Sequence, residues 1–229
     1  PSKESVVDEL KNQEMLHPPS KYYQYSNLGL SLLGFIVEEI TQSSFDDYVN
    51  QNILIPLSMT DTKTYMSTDD YGKNLALGYS SLNRDVVREK VNFFNADGIA
   101  AAAGFTSNVL DIAKFARWQM KLLASIEKNI LLPETLRSMH EVQWDDELTS
   151  VTRGLGFGVY NFDGENWVGH GGSCPGYRSQ LYINPDKEIA YSVMINSSGT
   201  SPTKYIAGIH EILSNVKIKK GEEINRFKE

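Results

Sequence analysis

Residues 22–41, YYQYSNLGLSLLGFIVEEIT, organise the sequence, because a polar triplet there leads directly into an apolar segment. The triplet is Tyr25-Ser26-Asn27, and Ser26 or Asn27 is expected to cap the following helix by accepting a backbone N–H hydrogen bond. The apolar residues of the helix lie on almost all of its sides: Leu28, Leu30, Leu32, Leu33, Phe35, Ile36, Val37 and Ile40. A helix of this kind is normally buried, so we expect it to lie in the core. The triplet alone fits a simple helix cap as well as a rigidly mounted functional group.

Composition excludes several classes of function. The 229 residues are 41% hydrophobic and 22% charged, which is ordinary for a globular protein with a sizeable core. A net charge of −7 argues against nucleic acid or an anionic membrane surface as a partner. The single cysteine, Cys174, excludes an internal disulfide, and no histidine pair has metal-site spacing. We therefore expect no metal and no other cofactor. No stretch approaches the ~20 apolar residues of a membrane-spanning helix.

The sequence pattern changes from helical to strand-like near residue 150. Helical spacing marks residues 4–16, 45–55, 108–124 and 133–140. Alternation begins at Leu155, and turn sequences at 163–166 and 184–187 predict two hairpins. Ser201 and Pro202 begin a last helix, and its apolar residues are expected to face inward: Tyr205, Ile206, Ile209, Ile212 and Leu213.

Helices followed by antiparallel strands and a closing helix predict an α+β fold. We expect residues 1–229 to form part of one domain. Within it, residues 1–150 are expected to be a mostly helical lobe, and residues 151–229 to hold the strands and the terminal helix.

Several short patterns occur in a fixed order along nearly the whole chain. They are Tyr25-Ser26-Asn27 with its apolar helix, PLSMTDT at 56–62, AAGFTSNVLDIAKF at 102–115, LGFGV at 155–159, His170-Gly171-Gly172, and NPDKEIAYSVMINS at 184–197. This order resembles the serine hydrolases related to class C β-lactamases and penicillin-binding proteins, a group with D-alanyl-D-alanine peptidases, esterases and D-aminopeptidases. The resemblance implies a β-lactamase/penicillin-binding-protein-like fold and an acyl-enzyme reaction on a small-molecule or peptide substrate.

The resemblance also implies roles for particular residues. That family combines a Ser-x-x-Lys nucleophile with a Tyr-x-Asn element, matched by Tyr25 and Asn27, and a Lys/His-x-Gly strand, matched by His170-Gly171-Gly172. Tyr25 would act as the base once nearby positive charge stabilises its phenolate. Asn27 would hold the lysine and contact substrate, and the strand containing Gly171 and Gly172 would align substrate. The backbone N–H of Ser173 would be an oxyanion donor.

The Ser-x-x-Lys element is absent from its expected place before Tyr25. Matches occur at 125–128, 201–204 and 214–217, but all follow the Tyr-x-Asn element, and about one or two are expected by chance. We therefore expect this chain to be the C-terminal part of a longer enzyme and to be inactive alone. The helical lobe and the sheet would then expose apolar surface, so self-association or pairing with the missing N-terminal fragment is expected.

Other candidate residues favour plainer interpretations. Ser173 does not form a nucleophile elbow, because Pro175 occupies the place of the required glycine. Cys174 lacks a neighbouring charge in sequence that would activate its thiol. The remaining histidines and tyrosines fit loop, helix or packing positions: His17, His140, His210, Tyr22 and Tyr23.

Two functional hypotheses remain open. The first is a serine hydrolase. Histidine in place of the usual lysine in the third element, at His170, favours ester or peptide substrates over β-lactams, since lysine keeps a full charge for a substrate carboxylate and histidine as a residue type does not. The alternative is a non-catalytic module that keeps the fold and binds cell-wall-like peptides. The family resemblance favours an exported protein.

Overall fold

The computed structural model describes residues 1–146, 151–162 and 164–215. Seven α-helices lie in this part of the chain: α1 Lys3–Leu10, α2 Asn27–Thr41, α3 Phe45–Val49, α4 Ala100–Ala103, α5 Val109–Leu123, α6 Pro133–His140 and α7 Pro202–Asn215. Six strands accompany them: β1 Trp144–Asp146, β2 Val151–Arg153, β3 Gly158–Phe162, β4 Glu165–Cys174, β5 Tyr177–Asn184 and β6 Ile189–Ile195. A π-helical turn, Asn50–Leu54, extends α3, and a 3₁₀ turn, Asp97–Ile99, precedes α4. The α+β order is confirmed.

The strands form one antiparallel sheet in the order β1-β2-β3-β4-β5-β6, so each strand pairs with its neighbour in sequence. Short turns make this arrangement possible, because antiparallel strands need only a tight connection. Between β4 and β5 the connection is the two residues Pro175 and Gly176. The register of this hairpin runs from Val168 opposite Ile183 to Cys174 opposite Tyr177.

Helices cover both faces of the sheet. Trp167 packs with Ile206 of α7, whereas Val168 packs with Ala116 of α5. Successive residues of a strand point to opposite faces, so α7 and α5 lie on opposite sides of the sheet. His170 is an even number of residues from Val168 and therefore points to the α5 side.

A buried carboxylate joins α5 to the loop at residues 56–62. Asn108 caps α5 by accepting hydrogen bonds from the backbone N–H groups of Leu110 and Asp111. The fully buried Asp111 carboxylate accepts hydrogen bonds from the Asp61 N–H and the Thr62 hydroxyl, and it pairs with Lys114. Burial alone would raise the pKa of Asp111, but these partners lower it below its ordinary value. The charge therefore stays on Asp111 and ties the two segments together.

Helix α2 is not buried as its sequence predicts. Only Ser31 and Gly34 are buried, while Leu33 is 57% and Ile40 77% exposed. In the described part of the chain α2 packs against α3, α4 and the 3₁₀ turn that precedes α4. Lys3 of α1 also pairs with Glu38. The described residues leave much of the remaining surface of α2 uncovered, so several of its apolar side chains are exposed.

One further expectation was wrong. Of the residues of α7 predicted to face inward, only Ile206 is buried, because the helix rests on β5 and β6 along one narrow side. The first strand begins at Trp144, shortly before the change of sequence pattern near residue 150. The predicted turn residue Asp163 and the charged segment after Asn215 lie outside the described residues.

Candidate active site

The structure places Tyr25 against His170, although the two residues are far apart in sequence. Their ring centroids are 6.0 Å apart and their planes meet at 26°, so the rings stack with an offset. Both side chains are exposed. Tyr25 precedes α2 and His170 lies on β4, so this contact joins the helical lobe to the sheet at an accessible surface. The catalytic roles of the two residues remain predictions.

Local hydrogen bonds hold the Tyr-Ser-Asn triplet in place. Ser26 has an extended backbone and its hydroxyl accepts a hydrogen bond from the Gly29 N–H at 2.9 Å, so Ser26 is the helix cap. Asn27 is the first residue of α2, and its carbonyl accepts a hydrogen bond from the buried Ser31 hydroxyl. The Asn27 side chain is exposed, and within the described chain it makes no hydrogen bond to Tyr25 or His170.

The second half of β4 has an open edge beside this contact. Strand β3 pairs with β4 only as far as Gly158 opposite Gly169. From His170 to Cys174, β4 pairs with β5 alone among the described strands. An extended substrate or peptide is therefore able to add to this edge as a further strand.

The register determines which backbone groups face that edge. Pro175 and Gly176 alone connect the strands, so the closing pair, Cys174 and Tyr177, is a hydrogen-bonded pair. Hydrogen-bonded and non-hydrogen-bonded pairs alternate along an antiparallel ladder. The next pair, Ser173 opposite Arg178, is therefore not hydrogen-bonded, and the N–H and C=O of Ser173 point toward the open edge.

The same alternation directs the backbone of Gly171 to the open edge. Its carbonyl oxygen lies 2.7 Å from Nδ1 of His170. A carbonyl only accepts hydrogen bonds, so Nδ1 carries a proton in this contact. The edge thus offers the Ser173 N–H as a donor beside an imidazole whose orientation is set by Gly171. The role of Ser173 as an oxyanion donor stays a prediction.

The turn at the end of β4 is anchored to the loops around it. Gly176 has φ +82°, and a Cβ there would lie 2.7 Å from the Cα of Gly78, so both conformation and space require glycine. The Gly176 N–H donates to the Ser198 hydroxyl, and the Tyr177 hydroxyl donates to the Ala76 carbonyl. These contacts hold the end of the open edge in position.

Two side chains near the turn differ in chemical character. Cys174 is half-buried, with its sulfur 4.0 Å from the carbonyl of Ala103, and burial raises the pKa of its thiol despite the opposing charge of Arg178. A raised pKa keeps the thiol protonated and unreactive. Arg178 donates a hydrogen bond to the Ser173 hydroxyl. Sequence analysis missed Arg178, yet the Pro175-Gly176 turn would have placed it opposite Ser173.

The Ser-x-x-Lys matches do not lie in this site. Ser125 follows the end of α5, where its hydroxyl accepts a hydrogen bond from the Glu127 N–H. Ser201 precedes α7, which packs on the sheet face opposite to the side chain of His170. Ser214 lies on α7, and its lysine, Lys217, is outside the described residues.

The described residues contain no cluster of three or more histidine, cysteine or acidic side chains suited to holding a metal ion. None of the described helices is long and apolar enough to cross a membrane.

Comparison with known proteins assigns the family. The sequence profile of the β-lactamase family matches residues 1–212. The chain belongs to the β-lactamase family. This β-lactamase-family chain also resembles "Protein flp" of Staphylococcus aureus (strain N315), with 24% identity over 218 residues that cover 93% of the chain and 41% of that protein. Unguisins hydrolase ungD' of Aspergillus campestris is 25% identical over 208 residues, which cover 87% of the chain and 38% of the relative.

Solved structures show the same fold. The octameric penicillin-binding protein homologue from Pyrococcus abyssi superposes with a TM-score of 0.80 and 28% identity, covering 93% of this chain and 48% of that one. D-amino acid amidase from Ochrobactrum anthropi gives a TM-score of 0.78 and 22% identity over 93% of this chain and 64% of its own. The β-lactamase-family chain thus has a penicillin-binding-protein-like, serine-hydrolase-type fold. It spans about two fifths of the length of the curated relatives that it matches.

Proposed function

We propose that this chain forms part of a serine hydrolase that cleaves an ester or amide through an acyl-enzyme. In this proposal Tyr25 is the general base and the Ser173 N–H stabilises the oxyanion. The strand His170-Gly171-Gly172 aligns the substrate, and Asn27 contacts it. No cofactor takes part.

The contact between Tyr25 and His170 beside the open edge of β4 carries the proposal. A base must lie within reach of the group that it deprotonates, and an oxyanion donor must point at the carbonyl oxygen that becomes negative during the attack. Tyr25 lies beside His170, and the ladder register directs the Ser173 N–H to the edge only three residues further along the strand. The edge itself supplies backbone groups that orient an extended substrate.

The nucleophilic serine is proposed to lie outside these 229 residues. None of the Ser-x-x-Lys matches lies at the site, and a catalytic tyrosine needs a neighbouring positive charge, which the family lysine would supply. This chain alone is therefore expected to be inactive, because loss of a nucleophile leaves only residual catalysis from binding and oxyanion donors.

Two polypeptides test this proposal: residues 1–229 alone, and the longer natural polypeptide that carries them. Hydrolysis of nitrocefin and p-nitrophenyl esters is measured for both. We expect turnover by the longer polypeptide only. Labelling of any serine within residues 1–229 by a fluorophosphonate, mapped by mass spectrometry, would contradict the proposed absence of the nucleophile.

The role of Tyr25 is tested in the longer polypeptide by Tyr25→Phe, which removes only the hydroxyl. Loss of a general base is expected to lower kcat by about 10²–10⁴-fold. Tyr22→Phe is the matched control, because Tyr22 is exposed and its ring contacts His17 rather than His170. Equal activity of both variants would exclude Tyr25 as the base.

The substrate class follows from the family and remains a proposal. By their names, one relative is an amidase and another is a hydrolase, and an ester or peptide-like amide is proposed here as the substrate on that similarity. Peptide binding at the open edge without turnover by the longer polypeptide would favour a non-catalytic binding module instead.

Assembly and location are proposed more broadly. Exposed leucine and isoleucine side chains on α2 favour self-association or pairing with an N-terminal segment of the longer protein. An exported location is proposed on family similarity alone.

A further inference from the structure

Arg178 lies on β5, the strand that pairs with the open-edged part of β4, and its side chain extends toward that edge. It is directly opposite Ser173 in the β4–β5 register, and opposite residues of an antiparallel pair project to the same face of the sheet. Its guanidinium donates a hydrogen bond to the Ser173 hydroxyl. The positive charge therefore lies above the edge strand itself, within reach of a group bound beside Ser173.

Arg178 has no ion-pair partner in the part of the chain that the structure describes. No carboxylate among the described residues forms an ion pair with it. Arg178 is half-buried and Ser173 is exposed, so one side of the guanidinium rests on the protein while solvent or a ligand has access to the hydroxyl that it contacts.

The side chains of Arg178 and His170 project to opposite faces of the sheet near the open edge of β4. His170 pairs with Leu181 and points to the α5 side, whereas Ser173 and Arg178 point to the α7 side. A substrate residue that pairs with Ser173 places an L side chain on the α7 side, next to the guanidinium. A D side chain in the same register points to the α5 side, toward His170, because inversion at Cα exchanges the two directions.

We propose that Arg178 and the Ser173 hydroxyl form an anion subsite that selects a substrate with a carboxylate on the L side chain paired with Ser173. A guanidinium binds a carboxylate through charge-assisted hydrogen bonds. The proposal rests on the proposed hydrolase function for its kinetic readout, but binding tests it independently.

Four probes test the subsite: the acetylated p-nitroanilides of L-Glu, L-Gln, D-Glu and D-Gln. Glutamine is the neutral counterpart of glutamate at nearly the same size. With the longer natural polypeptide, kcat/KM is measured, and the affinity of each probe is measured by calorimetry. For kcat/KM and for affinity alike, we expect the value for L-Glu to exceed that for L-Gln by a factor of about ten, as a partly exposed charge-assisted contact implies. This factor is called the L ratio. The corresponding ratio of D-Glu to D-Gln should be near one.

Three variants assign the preference. Arg178→Gln is expected to lower the L ratio to about one. Arg178→Lys is expected to give an L ratio of about three, since lysine keeps the positive charge but lacks the planar guanidinium with its paired N–H donors. Arg117→Gln is the matched control: it removes the same charge from an exposed position on α5 and is expected to leave the ratio unchanged.

The outcomes separate the two proposals. An L ratio near one in the wild type, or a ratio that Arg178→Gln leaves unchanged, overturns the anion subsite. An L-Glu preference in binding that Arg178→Gln removes, with no turnover of any probe, supports the subsite and counts against the hydrolase. Equal loss of preference in Arg117→Gln would show a general charge effect and would also overturn the subsite.

Discussion

Helices α2 and α5 have the same length but opposite surroundings. Each has fifteen residues and a polar cap, Ser26 for α2 and Asn108 for α5. Helix α5 buries Leu122 and Gln119 completely between the sheet and α6. Helix α2 has fewer charged residues than α5, two against four. Its closest approach to the rest of the described chain is nevertheless at a small residue, because a Cβ on Gly34 would lie 2.5 Å from the Cβ of Ala101.

The difference shows that hydrophobicity and burial are separate properties in this chain. The sequence of α2 alone predicts a core helix, but a helix is buried only where other surfaces cover it. The large apolar side chains of α2 are therefore the surface at which we propose self-association or pairing with another segment. The amphipathic pattern of α5, by contrast, predicts both the helix and its buried side, because its covering sheet and α6 belong to the same chain.

The largest expected effect comes from the same substitution made in both helices. Leu122→Ala in α5 removes a side chain that is 2% exposed and should lower the free energy of unfolding by about 2–5 kcal/mol. Leu33→Ala in α2 removes a side chain that is 57% exposed and should cost about 0.5 kcal/mol or less in the monomer. Urea unfolding at low protein concentration measures both. Similar losses would show that α2 is covered in solution.

A second prediction concerns pH and the covered side of α5. His140 of α6 lies 2.9 Å from Gln119 and packs edge-on against Phe157, and burial lowers its pKa to about 4. An unfolded histidine has a pKa of about 6.5, so only the unfolded state takes up a proton between these values. The contribution of the neutral, buried His140 to the free energy of unfolding is therefore complete above pH 6.5, and it is lost as the pH falls toward 4.

The loss is expected to be about 2 kcal/mol after allowance for partial exposure. The variant His140→Gln should remove this part of the pH dependence, which is measured as unfolding free energy from pH 7.5 to 4. Salt is the control, since it screens exposed charges but hardly affects a desolvated ring. A profile that His140→Gln leaves unchanged would exclude this histidine as the cause.

The smallest effect on monomer stability is expected from a charge on the exposed side of α2. Leu33→Lys should change the free energy of unfolding by about 0.5 kcal/mol or less. It should also weaken self-association at least about tenfold, since a buried unpaired charge is costly. Sedimentation and light scattering measure association. Ile126→Lys is the control, because Ile126 is 97% exposed on a loop. A wild-type chain that remains monomeric would contradict the proposed self-association.

Much of the local structure and the family could be predicted from sequence. The Ser26 cap, the start of α6 at Pro133, the start of α7 at Pro202 and the turn between β5 and β6 all depend on a few adjacent residues. The fixed order of short patterns led to the β-lactamase family, which the comparisons confirm.

Other features were beyond sequence patterns. The π-helical turn after α3 and the strand beginning at Trp144 carry no distinct local signal. The exposure of Ile209 and Ile212 on α7 depends on how narrow its contact with the sheet is. Sequence periodicity records which residues share a side of a helix, and it carries no information on how much of that side another element covers.

The sequence by itself determined most of the helices and their caps, the change from helices to antiparallel strands, and the family to which the chain belongs. Only the tertiary structure decided that Tyr25 meets His170, that β4 has an open edge beyond Gly169, and that the apolar side of α2 lies in solvent. Caps and turns are governed by interactions within a few residues, which the sequence displays directly. Contacts between distant residues and the covering of a surface depend on the arrangement of the whole chain in space.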